Sequence, residues 1–370
     1  MNQASANSDC VAAVTSRASE LFFLRRPGVL ASLWALGFLY AAALLAEFVA
    51  PYSFVTEARA YSYAPPSKIH VVHEGRLHRP FVYDVQAAFD ANHRRYYVED
   101  RTRPFALEIF GRGEPYRLLG LFSGDRHLLT VREPARLFLL GADARGRDIF
   151  SRLVHGGRIS LTIGLAGVAL SFFIGLLVGG AAGYFGGWID SALMRLCEMV
   201  MMVPGFYLLL ALRAAVPDNF TSVQVYGAIV IILSFISWAG LARVIRGMSL
   251  SLRERDYVLA ARSMGVSDLR IIVTHILPHT LSYSLAAVML SIPGYILGES
   301  ALSLIGLGIQ DPYASWGNML SEAMSLVKVT FAPWLLWPAV FICVTVACFN
   351  IIGDALRDVL DPDKAAGERS

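Results

Sequence analysis

Lysine is rare in this chain, and its positions bear on nucleotide chemistry. The 32 basic residues include only three lysines, Lys68, Lys328 and Lys364. A phosphate-binding loop places its lysine directly after Gly-x-x-x-x-Gly and before Ser or Thr, and none of the three stands in that context. The chain therefore has no phosphate-binding loop of its own, and we expect neither ATP hydrolysis nor any other catalytic residue set within it.

Histidines form a second group that could do chemistry. Five of the eight histidines fall within residues 70–127, and imidazoles at close spacing suit nickel or zinc. The segment offers no cysteine and no recognised ligand spacing, so we interpret these histidines as ordinary surface residues and predict no metal site. The five are His70, His73, His78, His93 and His127.

Glu299 lies within an otherwise apolar stretch, where a carboxylate is costly and normally faces protein or water. Two roles remain open for it: lining or gating a pathway, or hydrogen bonding to a neighbouring helix. Pro293 and Gly294 precede it and predict a kink in the helix. Such a kink is compatible with a moving gate and equally with a static packing bend.

The elements that must carry these residues are membrane helices. Hydrophobic residues make up 55% of the chain and charged residues 16%, against roughly a quarter charged in soluble domains. A hydrocarbon core of about 30 Å requires ~20 apolar residues in a helix, and the net charge of +3 is too small to indicate a nucleic-acid partner. We expect an all-α membrane protein with six spans. The predicted spans are 29–50, 159–184, 193–212, 225–242, 281–307 and 333–352, the last five forming a core at 159–352.

Basic residues beside the spans predict the orientation, since cytoplasmic loops are enriched in Arg and Lys. They are frequent in residues 1–28, in the loop 243–279 and in the tail 353–370, whereas the short loops on the other side contain only Arg213 and Lys328. Both termini and the 243–279 loop are therefore predicted to be cytoplasmic, in an inner or plasma membrane.

The long segment 51–158 is predicted to lie outside, because long domains translocate largely regardless of charge. We expect it to be a small α+β insert between the first and second helices. Apolar residues flank His73-Glu-Gly-Arg76 and predict a hairpin. Further strands are predicted at 105–110, 127–131 and 136–140, and a helix at 84–97.

The cytoplasmic loop contains the signals of two short helices. Ser251 and Glu254 have capping-box spacing and predict a helix start, which Gly265 ends in a left-handed conformation. Ser267 is a candidate cap for a second helix, and Pro278 closes or kinks it. Ala260, Ala261 and Gly265 give the first helix a small-residue patch, which lets another protein approach closely.

Ala260-Ala261-x-x-x-Gly265 followed by His275-Ile-Leu-Pro278 resembles the EAA loop of ABC importer permeases. In that family the loop forms a coupling helix that sits in a groove on the ATPase subunit. The chain departs from the motif at the glutamate position, which is Leu259. The positions that carry the resemblance are Tyr257, Ala260, Ala261, Arg262, Gly265, His275 and Pro278.

Further motifs in the same order extend the resemblance to C-type permeases of the dipeptide/oligopeptide (peptide/nickel) family, from residue 140 onward. They include Gly-Ala-Asp-Ala-Arg-Gly-Arg-Asp at 141–148, Pro204-Gly205, and the segments at 299–308, 312–320 and 350–358. The insert at about 60–138 has no parallel among these motifs. The resemblance favours a structural role for Glu299.

The resemblance implies a non-enzymatic permease subunit for di- or oligopeptides, with nickel or another small solute left open as the substrate. It also implies a related B-type permease that completes the pathway, partner ATPases that bind ATP and Mg, and an external solute-binding protein. A secondary transporter or channel not driven by ATP is the alternative of a different class. It predicts inverted repeats, and these are not evident.

Three sets of charged residues lie near the ends of predicted spans, where they can pair with each other or reach water. Arg195 and Glu198 have the spacing of a pair on one helical face. Glu47 is close to the external end of the first span and is expected to reach water. Asp354, Arg357 and Asp358 form a cluster after the last span, either meeting an ATPase or simply solvated.

Overall fold

The computed structural model describes residues 26–91, 95–217 and 219–360. Most of the predicted N-terminal segment 1–28, His93 and the end of the tail 353–370 lie outside this part. Five of the described helices are long and apolar enough to cross a membrane, and a bent helix pair adds a sixth. The predicted membrane architecture, with an insert between the first two spans, is confirmed.

The helices differ in length from the predicted spans. In chain order they are α1 (Pro27–Leu44), α2 (Ala46–Val49), α3 (Ile149–Phe185), α4 (Gly187–Met202), α5 (Gly205–Ala214), α6 (Ser222–Leu252), α7 (Asp256–Ser263), α8 (Asp268–Ile271), α9 (Leu277–Leu304), α10 (Trp316–Leu320), α11 (Leu326–Phe331) and α12 (Trp337–Leu360). Short 3-10 turns occupy Arg59–Tyr61, Ser321–Met324 and Pro333–Leu336.

The central helix α3 begins at Ile149, within the predicted insert. Asp148 fixes this start, since its Oδ2 accepts hydrogen bonds of 2.8 Å from the backbone N–H of Ser151 and 2.6 Å from its hydroxyl. Aspartate is among the preferred residues at this capping position. The insert therefore ends before residue 149 and not at 158.

The predicted third span, 193–212, is broken. α4 and α5 meet at an angle of 85°. The break falls at Val203 and Pro204, and Val203 has an extended backbone. Proline disfavours helical backbone in the residue before it, which explains why the helix stops there.

α3 and α6 pack closely because glycines line their contact. A Cβ atom at Gly179 would lie 2.4 Å from the carbonyl oxygen of Ala242, and one at Gly183 would lie 2.6 Å from that of Arg246. No side chain fits at these distances. Small residues four positions apart let membrane helices approach in this way, and they make α3 and α6 the centre of the bundle.

The insert is built from strands. It contains a four-stranded antiparallel sheet in the order β1-β2-β3-β6 and a separate hairpin of β4 and β5. The predicted hairpin at 73–76 is confirmed, with Glu74 and Gly75 at φ 49° and 77°, as in a type I′ turn. The strands are β1 (His70–His73), β2 (Arg76–Phe89), β3 (Arg95–Ile109), β4 (Arg112–Leu118), β5 (Phe122–Arg126) and β6 (Leu129–Val131).

The predicted helix at 84–97, and with it the α part of the insert, is wrong. Val85 pairs with Glu99 and Ala87 with Tyr97 across β2 and β3. Strand formation depends on cross-strand packing more than on local preference, so the pairing of β2 with β3 decides the structure of this segment.

The remaining strand predictions have mixed outcomes. Those at 105–110 and 127–131 are confirmed in β3 and β6, whereas 136–140 is irregular and the β4–β5 hairpin was not predicted.

Candidate functional site

The loop 243–279 forms a helical arm, defined here as residues 253–276. The predicted capping box is wrong, because Ser251 lies in the last turn of α6 and α7 begins after Arg255. Gly265 ends the helix as predicted, at φ +78°. Val266 donates its N–H to the carbonyl of Ala261 at 3.2 Å, and Gly265 donates to that of Arg262 at 3.0 Å. These two bonds are the Schellman motif, which fixes the turn between α7 and α8.

α7 has a buried face and an exposed face. Val258 and Ala261 pack into a small core with Ile271 and Ile272 of the arm and Ile245 of α6. Ala261 is only 3% exposed, so the predicted small-residue patch is wrong in this residue, which faces its own chain. The exposed face consists of Tyr257, Leu259, Ala260, Arg262 and Met264.

Of the two effects predicted for Pro278, closing or kinking the second helix, the first is wrong. α8 continues through a π-helical turn, Ile272–Ile276, into α9, and Pro278 lies in the first turn of α9. Proline lacks an N–H and clashes with the carbonyl four residues earlier. The wider π turn directly precedes Pro278, and in this turn the N–H of Leu277 bonds to the carbonyl of Ile272, five residues earlier. The arm is therefore continuous with the fifth span.

His275 supports α7 from the side. Its ring centroid lies 6.2 Å from that of Tyr257, and the ring of His279 lies 5.5 Å from the same tyrosine. Ser267 occupies the N-cap position of α8, but among the described residues its side chain makes no capping hydrogen bond.

Two polar contacts that the sequence did not reveal lie near the arm, and one of them ties the arm to the bundle. Tyr184 at the end of α3 donates its hydroxyl to Asp268 of α8 at 2.5 Å. Arg246 of α6 donates two bonds to the carboxylate of Asp190 in α4, at 2.6 and 2.5 Å. The pairs are 84 and 56 residues apart, so no local pattern could indicate them.

Glu299 is fully buried and held by hydroxyl groups. Ser303 donates to its Oε1 at 2.7 Å, and Ser160 of α3 donates to Oε2 at 3.3 Å. Ser160 in turn accepts the backbone N–H of Trp316 at 3.0 Å. Through these contacts the carboxylate joins α9 to α3 and α10, which matches the hydrogen-bonded alternative for Glu299. Its side chain does not line open space, since Glu299 is 0% exposed.

Pro293 and Gly294 differ in their surroundings. Pro293 is buried inside α9, whereas Gly294 is exposed and lines a cavity of about 430 Å³ between α5, α6 and α9. Phe206, Leu233 and Tyr295 also line this cavity. Of the predicted pathway residues, only Gly294 faces open space.

A buried ion cluster lies at the start of α3. Asp143 accepts from Nε of Arg147 at 2.7 Å and from Nη1 of Arg152 at 3.0 Å. Both arginines also bond Asp311, at 3.0 and 3.3 Å. Burial raises the pKa of Asp143, and Arg147 is the main influence in the opposite direction. The cluster ties the end of the insert to the loop after α9.

The charged residues near span ends also have partners. Arg195 and Glu198 form the predicted pair at 3.4 Å. Glu47 is not simply solvated, because Arg158 of α3 donates to it at 2.6 Å. Asp358 pairs with Arg26 at 2.9 Å.

Three of the described histidines of the insert contact polar groups of the protein, whereas His78 is exposed. Nε2 of His70 lies 3.3 Å from Glu99, and Nδ1 of His73 lies 2.8 Å from the hydroxyl of Tyr83. His127 is buried between the carbonyls of Ala50 and Glu114.

A bundle of five or six apolar helices with an exposed helical arm is the architecture of a membrane-spanning subunit that can contact another protein. Residues 172–365 match the family described as "Binding-protein-dependent transport system inner membrane component". Residues 22–66 match the "N-terminal TM domain of oligopeptide transport permease C". The chain belongs to this family of inner-membrane transport components and is a permease subunit of the ABC importer type.

Curated proteins with similar sequences are also named as transport system permeases. The oligopeptide transport system permease protein OppC of Haemophilus influenzae is 43% identical over 223 residues, 60% of this chain and 69% of its own. The dipeptide transport system permease protein DppC of Bacillus subtilis is 38% identical over 260 residues, 70% and 78% of the two chains. Among solved structures, the MetNI methionine ABC transporter aligns with a TM-score of 0.43 at 19% identity, over 56% of this chain and 96% of that one.

Proposed function

We propose that this chain is the C-type permease of an ATP-driven importer for di- or oligopeptides. It pairs with a B-type permease, and together they enclose the pathway. Two ATPase domains bind ATP and Mg beneath them, and an external solute-binding protein delivers the peptide. No cofactor is bound by this chain itself. The relatives named for oligopeptide and dipeptide transport support the substrate class.

The distribution of basic residues supports the orientation. Arg253, Arg255, Arg262 and Arg270 lie in or beside the arm, and the positive-inside tendency places such a segment in the cytoplasm. The arm is then on the ATPase side and the strand insert is on the side of the solute-binding protein.

The observation that best supports the coupling role is that α7 has one buried and one exposed face. One face is buried against the chain's own core, and the other presents Leu259 and Met264, which are large and apolar, to solvent. An exposed apolar face on a rigid element marks a protein contact. Since the arm continues into α9 and bonds to α3 through Asp268, movement of an ATPase at this face is transmitted to the spans.

The cavity beside Gly294 supports a pathway on the same bundle. It opens between α5, α6 and α9, and Gly205, Gly294 and Gly298 contribute to its wall. Glycines leave room for varied solutes, as a peptide pathway requires. A B-type partner would close the open side of this cavity.

The test compares two substitutions at Gly265. Asparagine tolerates the left-handed backbone, whereas the β-branched valine does not, and no neighbouring atom lies within 4 Å of the added Cβ. In the reconstituted transporter with its ATPases, B-type permease and binding protein, we expect Gly265→Val to weaken ATPase binding and peptide uptake. Gly265→Asn should remain close to the native protein.

A second variant, Leu259→Arg, places a positive charge on the exposed face of α7, at the position where the family's motif has glutamate, and leaves the buried face intact. We expect ATPase subunits to co-purify poorly with it. Normal uptake and an intact ATPase complex in both Gly265→Val and Leu259→Arg would contradict the coupling role.

A further inference from the structure

The stretch that joins the helical arm to α9 departs from regular helix geometry. Ile272–Ile276 is a π-helical turn, and Pro278 follows it in the first turn of α9. In a regular α-helix the carbonyl of Thr274 would accept the N–H of residue 278, but proline has no N–H to donate. We call residues 272–278 the joint, because a helix with this interruption bends more easily than an unbroken one.

A side-chain hydrogen bond next to the joint has the same tendency. The hydroxyl of Thr274 donates to the carbonyl of Arg270 at 2.6 Å, four residues earlier in the chain. Hydroxyl groups that bond back to the preceding turn often bend helices. A π turn, a proline and this bond therefore occur together where the arm meets the fifth span.

Packing supports the joint from one side. Ile272 and Ile276 lie in the small core that also contains Val258 of α7 and Ile245 of α6. On the opposite side, Val273 is 51% exposed and Thr274 is exposed as well. The core therefore holds one face of the joint, and the other face borders solvent.

Tyr257 of α7 contacts the joint at two places. Its ring centroid lies 6.2 Å from that of His275, inside the π turn, and 5.5 Å from that of His279, just after Pro278. Ring pairs attract one another at centroid separations of about 4.5–7 Å. Bending at Pro278 changes the separation of His275 from His279, so it also has to disturb one of the two ring contacts.

Tyr257 also belongs to the exposed face of α7. It is 40% exposed, on the surface that the proposed function assigns to an ATPase. One side chain thus lies on the contact surface of the arm and touches residues on both sides of Pro278. This placement connects the surface of α7 to α9 by a route that does not depend on the bending resistance of the backbone.

We infer that Tyr257 is a positioning residue that braces the joint through its contacts with His275 and His279. With the ring in place, displacement of α7 moves α9. Without it, the joint bends and absorbs part of the displacement. The inference rests on the proposed coupling of α7 to an ATPase, and it assigns to these three residues the efficiency of coupling and not the binding of the ATPase.

Distances between spin labels test the brace without any partner protein. The four native cysteines are replaced, and labels are attached through Met264→Cys, next to α7, and Leu297→Cys in α9, both at exposed positions. Double electron–electron resonance in lipid nanodiscs gives the distance distribution for the full chain. We expect Tyr257→Leu and His279→Leu to broaden this distribution, whereas Tyr257→Phe, which keeps the ring, should restore the native width.

A coupling measurement tests the consequence for transport. In proteoliposomes with the ATPases, the B-type permease and the binding protein, ATP hydrolysed per peptide imported is measured for the same variants without labels. We expect this ratio to rise several-fold in Tyr257→Leu and in His279→Leu, while the ATPases still co-purify. The double variant should be no worse than either single one, because both changes remove the same contact.

Equal distribution widths for the native chain, Tyr257→Leu and His279→Leu would overturn the inference. So would a native ratio of ATP to peptide in Tyr257→Leu with its ATPases bound. An effect of Tyr257→Leu that His279→Leu does not share would also overturn it, since Tyr257 would then act only through the ATPase surface. If ATPases fail to co-purify with the native chain, the proposed function fails, and the label distances still decide whether Tyr257 braces the joint.

Discussion

The hydroxyl of Tyr184 donates a 2.5 Å hydrogen bond to Oδ1 of Asp268. The bond joins the end of α3, the helix at the centre of the bundle, to α8 in the arm. Around it, Ile271, Ile272 and Ile276 pack with Leu176 of α3. Packing places the arm against the bundle, and the hydrogen bond fixes its position along α3.

Tyr184→Phe removes this bond and keeps the ring. A hydrogen bond to a charged group contributes about 1.5–3 kcal/mol, and partial exposure here places the expected loss at the lower end. We expect peptide uptake to fall several-fold per transporter while ATPase subunits still bind, measured in proteoliposomes. Tyr96→Phe, at an exposed position of the insert, is the control. Full uptake by Tyr184→Phe would show that packing alone couples the arm to α3.

The elements that sequence could predict are those with local signals. Span composition, the turn at 73–76 and the stop at Gly265 depend on nearby residues, and all three are confirmed. The helix prediction at 84–97 is wrong because β2 and β3 pair with each other across this segment. The placement of Ala261 on an exposed patch is wrong because Ala261 packs in one cluster with Ile271 of the next helix. The bonds of Tyr184 and Arg246 join distant residues and could not be predicted without the fold.

Gly179→Ala should separate α3 from α6. The added Cβ would lie 2.4 Å from the carbonyl oxygen of Ala242, and overpacking of this kind costs about 1–3 kcal/mol. We expect a lower unfolding midpoint in detergent. Gly227→Ala in α6 is the matched control, because no atom lies within 4 Å of its new Cβ. A midpoint for Gly179→Ala equal to that of the control would show that the two helices are free to move apart.

Substitutions at Glu299 distinguish a structural role from a gating role. Glu299→Ala removes the acceptor of the Ser160 and Ser303 hydroxyls and leaves a void. We therefore expect the free energy of unfolding to fall by about 2–4 kcal/mol. Glu299→Gln retains an acceptor for Ser303 and should lose less than half of that. Thermal unfolding and uptake are measured for both, with Glu74→Ala in the exposed turn as the control. If Glu299→Gln unfolds like the native protein but carries no peptide, the carboxylate acts in transport and the structural interpretation fails.

The stability of the folded protein should depend on pH through Asp148, and one substitution separates this contribution from those of other groups. Burial raises the pKa of Asp148 to about 7, and the bonds from Ser151 oppose this shift. Its Oδ1 has no hydrogen-bond partner among the described residues. A carboxyl whose pKa is higher in the folded than in the unfolded state favours folding only while it is protonated. Its contribution is complete below the unfolded pKa of about 3.9 and is lost as the pH rises through about 7.

Asp148→Asn removes this titration and keeps a capping residue at the start of α3, because asparagine caps as well as aspartate. At about 1.4 kcal/mol per pKa unit, the native protein should lose roughly 3 kcal/mol relative to the variant between about pH 5 and about pH 8, because this range includes about two units below the folded pKa. Unfolding midpoints in detergent across this range measure the difference. Since Asp143 and Glu322 nearby also have raised pKa values through burial, both proteins should lose some stability with rising pH. The contribution of Asp148 is therefore the difference between the midpoints of the native protein and the variant. If this difference does not change with pH, the carboxylate of Asp148 is stabilised in the folded protein and its pKa is not raised.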